Sequence, residues 1–553
     1  MLNDKRHKTL EKTVAQEKSE KGWGGEMNAV SAAQMRRIEQ RAIEDFGIPS
    51  LLLMENAALA VAQEIKEHFA ANGKGLAQGK AVVLAGKGNN GGDGLAVARH
   101  LRLLGMDVSI FLFAKPEEFK GDAALNLRLA QGTEGKCFIV EGEKQRRVAR
   151  LALSQADVVV DAIYGTGFRG ALPSLVEEYV EDVNGSAAWV VAVDIPSGVE
   201  ADTGRVYRTA IRANTTVTFG LPKLGHFLGD GPEYSGRVLV DPISIPPRYL
   251  LDEGLTTFVL TAEAMRAILP VRRLQGHKGS HGRGVLVGGS RGMSGAVVLA
   301  GRAALRCGAG LVQIVAPAGI AQAVDSALTE ATVWPALGET GLEVQAWPVI
   351  AERCQGAQAL AIGPGLGQNS QLLEVLAEAL RTLPLPIVLD ADALNLLAKD
   401  PGILALRRGG GPLVLTPHPG EMSRLCQCSI QEVQANRLDL AVSKAVEWEA
   451  VVVLKGAVTV IAAPDGRAFL NPTGNPGLGT GGTGDVLTGA ILSFLAQGVP
   501  PVEAACLGVY LHGRAADLLA ADFGWSGFTA TEVADTLPRA RRNLEVQAEG
   551  EQW

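Results

Sequence analysis

Short apolar runs that end at glycine or aspartate recur along this chain, separated by stretches with helical spacing. This alternation constrains the fold more than any other feature. In the first half the runs occupy 81–85, 108–113, 157–162 and 189–193; in the second they occupy 284–288, 312–316, 359–362, 387–389, 413–415 and 451–454. Strands that are apolar almost throughout bury both faces, so they predict a parallel sheet with helices on either side. Helices are expected over 30–46 and 51–69. A chain of 553 residues exceeds one typical core. Pro242, Pro246 and Pro247 interrupt the pattern. The expected organisation is a disordered tail over 1–26, an α/β domain over 27–248, a linker over 249–261 and a second α/β domain over 262–545.

Composition removes several function classes. A net charge of −7 leaves no basic footprint for nucleic acid or a membrane surface, and 5% aromatic residues are too few for a base-stacking platform. Cys137, Cys307, Cys354, Cys426, Cys428 and Cys506 show no metal-ligand spacing and suit a reduced compartment. With no signal segment and no apolar span, a cytoplasmic location is expected.

The segment from Asn475 to Asp485, with glycines at 477, 479, 481, 482 and 484, runs directly into an apolar helical stretch over 486–492. Glycines at a helix start expose backbone N–H groups, and the helix dipole favours an anion there. A carboxylate beside an anion hole suggests proton handling, so the pattern points to phosphate chemistry with Asp485 acting on a hydroxyl. Upstream, Lys455 and the backbone after it can position a nucleotide, and His418 sits in a proline-bracketed loop suited to touching substrate.

In the first half, the strand at 81–85 leads into Gly86-Lys87-Gly88-Asn89-Asn90-Gly91-Gly92-Asp93-Gly94, followed by a helix expected over 95–104. Asp161 precedes Ala162-Ile163-Tyr164-Gly165-Thr166-Gly167-Phe168-Arg169-Gly170, and Asp194 precedes Ile195-Pro196-Ser197-Gly198. Singly, an Asn-Gly is a turn and a strand-end aspartate is a helix cap. Together they form a ligand site at the carboxyl ends of strands. Asn90, Asp161 and Ser197 make an oxygen set suited to a hard cation of low charge, which leaves Asp194 for proton transfer to a bound ring.

These three motifs resemble the YjeF N-terminal domain, the epimerase of hydrated NADH and NADPH, over about 28–248. The resemblance implies a Rossmann-like three-layer αβα domain and K⁺ at Asn90, Asp161 and Ser197. It also implies substrate contacts at Asn89, Asn90, Gly91, Gly92, Asp93, Gly165, Thr166, Gly167, Phe168, Arg169, Gly170, Ala171 and Asp194. The second half is similar to the ADP- or ATP-dependent NAD(P)H-hydrate dehydratase of the ribokinase-like superfamily, over about 262–540. The similarity rests on His277-Lys278-Gly279, Gly288-Gly289-Ser290 through Ala296, Gly363-Pro364-Gly365-Leu366-Gly367, Thr416-Pro417-His418-Pro419-Gly420-Glu421 and Gly481-Gly482-Thr483-Gly484-Asp485. It implies a ribokinase-like αβα domain with hydrate contacts at Ala296, Gly367, His418 and Asp485, and ADP contacts at Lys455, Gly456, Ala457, Val458, Thr459 and Gly484. Mg²⁺ is expected on the nucleotide phosphates, and ADP is expected over ATP. Asp485 and Asp194 are the expected catalytic groups of a bifunctional repair enzyme for NADHX and NADPHX, with homo-oligomerisation also expected. Two rival readings are a small-molecule kinase in the second half and a non-catalytic module in the first.

Overall fold

The computed structural model describes residues 27–251, 254–272 and 274–546; the tail expected over 1–26 lies outside them. Contacts divide the chain into two units between Leu255 and Thr256. In the N-terminal unit the strands are β1 (Lys80–Ala85), β2 (Asp107–Leu112), β3 (Lys136–Ile139), β4 (Val158–Ala162), β5 (Trp189–Val193), β6 (Thr215–Phe219) and β7 (Arg237–Asp241). They form one sheet in the order β3-β2-β1-β4-β5-β6-β7, parallel at every pairing. The order reverses at β1, so a crevice opens beyond the carboxyl ends of β1 and β4, where ligands of open α/β sheets bind.

β3, β6 and β7 fall outside the expected strands. β6 reads Thr-Thr-Val-Thr-Phe, a polar composition, yet Thr216 and Thr218 are fully buried. Their hydroxyls are satisfied: Thr216 Oγ1 donates to the Ser235 carbonyl at 2.6 Å, and Thr218 Oγ1 to Asp194 Oδ1 at 3.0 Å. Hydrogen bonding thus permits burial that the hydropathy pattern conceals. The helix expected to begin at 95 instead spans Asn89–Leu103 and takes up most of the glycine-rich segment. Its glycines serve close packing: a methyl group on Gly91 would lie 1.6 Å from the Gly86 carbonyl oxygen, and one on Gly94 2.4 Å from Ala162 Cβ.

The C-terminal unit contains β8 (Thr257–Val259), β9 (Arg283–Val287), β10 (Leu311–Pro317), β11 (Thr332–Ala336), β12 (Ala359–Ile362), β13 (Ile387–Leu389), β14 (Leu413–Leu415), β15 (Val451–Leu454), β16 (Thr459–Ala462) and β17 (Ala468–Asn471). From β8 the sheet runs β8-β17-β16-β15-β14-β13-β12-β9-β10-β11. Pairings from β15 through β11 are parallel, while β15-β16 and β16-β17 are antiparallel. The linker expected over 249–261 is therefore corrected: β8 pairs in parallel with β17 and belongs to the second sheet. Here the strand order reverses between β9 and β12, beside the segments Gly288–Ser290 and Gly363–Gly367.

Helix Thr483–Ala496 is buried along nearly its whole length and runs through the core cluster of this unit. It packs against helix Ser294–Arg306, and Gly489 permits that approach, since a methyl there would sit 1.9 Å from the Ala300 carbonyl oxygen. Among the described residues, no helix is long and apolar enough to cross a membrane.

Candidate active sites

The N-terminal crevice is a cavity of about 760 Å³. Asn89, Asn90, Asp93, Gly165, Thr166, Gly167, Phe168, Arg169, Ala171 and Asp194 all line it. Three expected contacts do not. Gly91 and Gly92 are buried in the packing of their helix, and the Gly170 N–H is committed to Glu200 Oε1 at 3.0 Å. Beneath the cavity, Asp161 is fully buried, with Oδ2 accepting from the Ser197 N–H at 2.7 Å and Oδ1 from Ser197 Oγ at 2.6 Å. Asn90 Nδ2 donates to the Tyr164 carbonyl at 3.0 Å, and the Tyr164 N–H donates to Ser197 Oγ at 2.9 Å. Asn90, Asp161 and Ser197 are thus brought together around the Tyr164 backbone. Burial pushes the Asp161 carboxyl up to about 6, against the pull of its Ser197 hydrogen bonds. A buried carboxylate with oxygen neighbours and no cationic partner fits a weakly charged cation.

Asp194 follows β5 with a left-handed backbone, φ +66°. This turns its carboxylate back across β6, where Oδ1 accepts from Thr218 Oγ1, from the Phe219 N–H at 3.3 Å and from Lys223 Nζ at 2.5 Å. Lys223, 1% exposed, also donates to Thr218 Oγ1 at 3.0 Å and to the Phe219 carbonyl at 2.9 Å. Glu39 and Asp93 line the same cavity. Burial raises the pKa of both carboxyls; the Asp194 charge adds to this and Lys223 opposes it. Sequence reasoning missed Lys223 and Glu39. Lys223 follows a strand whose threonines hid it, and Glu39 is one charge on an ordinary amphipathic helix.

In the C-terminal unit, Asp485 is half-buried in the first turn of helix Thr483–Ala496, behind Gly482 at φ +91°. Thr483 Oγ1 ties the loop to itself through the carbonyls of Leu478 (2.8 Å) and Thr480 (2.9 Å). Lys455 closes β15, and a methyl on Gly484 would lie 3.4 Å from its Nζ, so the ammonium sits beside the glycine loop. Burial pushes the Asp485 carboxyl up to about 7; the neighbouring Asp390 charge adds to this and Lys455 opposes it. That value suits a base working near neutral pH.

His418 begins helix Pro419–Cys426. Its Nδ1 accepts from the Gly420 N–H at 3.0 Å and the Glu421 N–H at 3.3 Å, while Glu421 Oε2 accepts from the His418 N–H at 2.8 Å. With Nδ1 an acceptor, the neutral ring carries its proton on Nε2, 3.3 Å from Glu421 Oε1. Burial pushes Glu421 up to about 7 and lowers the His418 pKa. Arg437 Nη2 braces the turn after β15, donating to the carbonyls of Leu454 (2.9 Å), Lys455 (3.1 Å) and Val458 (3.1 Å). This fixes the backbone course of Lys455, Gly456, Ala457, Val458 and Thr459. On the opposite side, a methyl on Gly365 would lie 3.1 Å from Ala296 Cβ, and the Gly367 N–H donates to Asp392 Oδ2 at 2.9 Å. Glu421, Arg437 and Asp390 were not singled out from sequence, although Glu421 lies inside the motif over 416–421 and Asp390 directly follows the apolar run at 387–389.

Two open α/β sheets, each with glycine-rich segments beside a reversal of strand order, define an α/β enzyme with two candidate sites for nucleotide-like ligands. Residues 50–225 match the YjeF-related protein N-terminus family, and residues 284–539 match the NAD(P)H-hydrate dehydratase family. The bifunctional NAD(P)H-hydrate repair enzyme Nnr of Moorella thermoacetica is 45% identical over 526 residues, covering 95% of this chain and 98% of that one. Its counterpart in Escherichia coli is 35% identical over 509 residues, covering 92% and 93%. The crystal structure of the ADP/ATP-dependent NAD(P)H-hydrate dehydratase from Bacillus subtilis is 36% identical, covers 52% of this chain and 98% of that one, and has a TM-score of 0.45. The chain belongs to the family of bifunctional NAD(P)H-hydrate repair enzymes.

Proposed function

We propose that the N-terminal unit interconverts the R and S epimers of hydrated NADH and NADPH, and that the C-terminal unit returns the S epimer to NAD(P)H while consuming ADP. The hydrate bears a hydroxyl on ring carbon C6, next to the ring nitrogen. If that hydroxyl leaves as water, the nitrogen lone pair stabilises the cation left behind, and water returning to the other face gives the other epimer. Asp194 exchanges the proton at this hydroxyl, its carboxylate fixed by Lys223, Thr218 and the Phe219 N–H. Asn90, Asp161 and Ser197 would hold K⁺, which supplies positive charge beneath the cavity to balance Asp161.

In the C-terminal unit Asp485 takes the hydroxyl proton as the hydrate oxygen attacks the terminal phosphorus of ADP, and AMP leaves. The resulting phosphate ester is a good leaving group. Its C6–O bond then breaks as C5 gives up a proton, restoring the double bond and releasing phosphate. Lys455 and the first turn of helix Thr483–Ala496 stabilise the charge on the transferring group. Mg²⁺ would be carried by the nucleotide phosphates, where it would offset their negative charge. The observation that carries this reading is the placement of the Asp485 carboxyl in the first helical turn behind the glycine loop, with the Lys455 ammonium beside Gly484. The test incubates mixed hydrate epimers with ADP or with ATP. Recovery of reduced-nicotinamide absorbance with stoichiometric AMP is expected; a stable phosphorylated product would instead indicate a kinase. A cytoplasmic, homo-oligomeric protein is the setting proposed for this chemistry.

A further inference from the structure

The chemistry above uses only Lys455 of the most buried ion pair among the described residues of the C-terminal unit, and leaves its carboxylate partner without a role. Asp390, 1% exposed, closes β13. Its Oδ1 accepts from Lys455 Nζ at 2.8 Å and its Oδ2 from Thr488 Oγ1 at 2.5 Å. Thr488 lies three residues after Asp485 on the same buried helix, so both side chains project from one face of it. The next residue, Ala391, has φ +50° and ψ −120°, a conformation that side chains other than glycine rarely adopt. The strained turn sends Asp390 toward Lys455 while Asp392 reaches the Gly367 N–H. One three-residue turn thereby touches both the expected nucleotide side and the expected hydrate side of the site.

We propose that Asp390 is a positioning residue for phosphoryl transfer: it holds the Lys455 ammonium beside Gly484 and places a buried negative charge behind Asp485. This rests on the reading of Asp485 as the base. Lys455 has three N–H donors, and Asp390 takes one, aiming the others. The Lys455 partner keeps Asp390 ionised despite its burial. The other charged groups around Asp485 are Lys455 and Asp392, and Glu421, His418 and His512 lie around Lys455. Of these, Asp390 adds most to the proton affinity of Asp485 after burial itself.

The test measures ADP-dependent dehydration by the full chain across pH, with hydrogen-exchange protection of peptides from β12, β13 and β14 as the control for folding of the C-terminal unit. In D390N the anion is gone and the Lys455 cation remains. The acid limb of the kcat/KM profile then moves to lower pH by on the order of one unit, and kcat falls at least tenfold. An acid limb that stays in place overturns the proposal. D390E gives a second reading should D390N fail to fold. It keeps the charge but its longer side chain cannot keep both short contacts, so kcat falls at least tenfold with the limb unmoved; parental kcat in D390E also overturns the proposal. D485N separates the two claims: if it still dehydrates with ADP, the base assignment fails whatever D390N does.

Discussion

Lys223→Met provides a demanding test of the N-terminal site, because this one ammonium stands among three carboxyls that line or face a single cavity. Methionine fills nearly the same space but removes donors to Asp194 Oδ1, Thr218 Oγ1 and the Phe219 carbonyl. Asp194 keeps the Thr218 hydroxyl at 3.0 Å and the Phe219 N–H at 3.3 Å, so its charge is only partly abandoned. Removing one partner of a buried pair costs about 3–5 kcal/mol, and the retained bonds favour the lower end, about 3 kcal/mol at pH 8. The pH dependence has a definite sign. Glu39 and Asp93 already carry raised pKa values in the folded chain, and Lys223 opposes that rise. Between the unfolded and folded values the native state binds more protons, so stability falls as pH increases through the folded values. Without Lys223 those values rise further, and the penalty is larger at pH 8 than at pH 5, where a bound proton replaces the missing positive charge. Hydrogen exchange of peptides from β4, β5 and β6 isolates this unit from the other. Opening should increase roughly a hundredfold at pH 8 and much less at pH 5. A change below about 1 kcal/mol, equal at the two pH values, would refute the account of Lys223 as the charge that balances this cavity.

Other consequences concern the chemistry directly. Asp485→Asn should abolish ADP-dependent recovery of NAD(P)H while epimer exchange continues, and Asp194→Asn should do the reverse; two assays on each variant check the pair. Because Asp485 must be ionised to act and is pushed up to about 7, dehydration should fall about tenfold per pH unit below that value, as a kcat/KM profile would show. Ala391→Gly should relieve the left-handed strain and stabilise the C-terminal unit by about 1 kcal/mol, seen as a higher denaturation midpoint; a lower midpoint would show that the methyl packs more than the backbone strains.

Where local chemistry and hydropathy agree, the sequence already displays the architecture. The continuous apolar runs that became β1, β4, β5 and β12 to β15 needed no tertiary information, and neither did the glycine segment before Asp485. The failures have physical causes. The threonines of β6 disguise a buried strand because hydroxyls are polar in composition yet satisfied in place, and the strand carries Lys223 with it. β8 is three residues beside a proline-rich stretch, too short to announce itself before its pairing with β17 is known. Gly91 and Gly92 read as ligand-facing residues from the motif alone, and only the helix packing shows that Gly91 also makes room for the Gly86 backbone and Gly92 for the Met54 side chain. Asp390 ends an apolar run and Glu421 stands inside the motif over 416–421, but what distinguishes them from caps is, for Asp390, a contact 65 positions away and, for Glu421, its burial.

The contact at Gly489 sets a dimension for chemistry that happens elsewhere. Ala296 and Asp485 sit near the amino ends of two helices whose separation is fixed further along, where Gly489 meets the backbone at Ala300. Adding one methyl at Gly489 would act as a wedge, forcing the two helix axes apart and widening the gap between Ala296 and Asp485, which the proposed hydrate site spans. The width of the proposed site is therefore gauged by a residue outside its expected contacts, at the crossing of two packed helices.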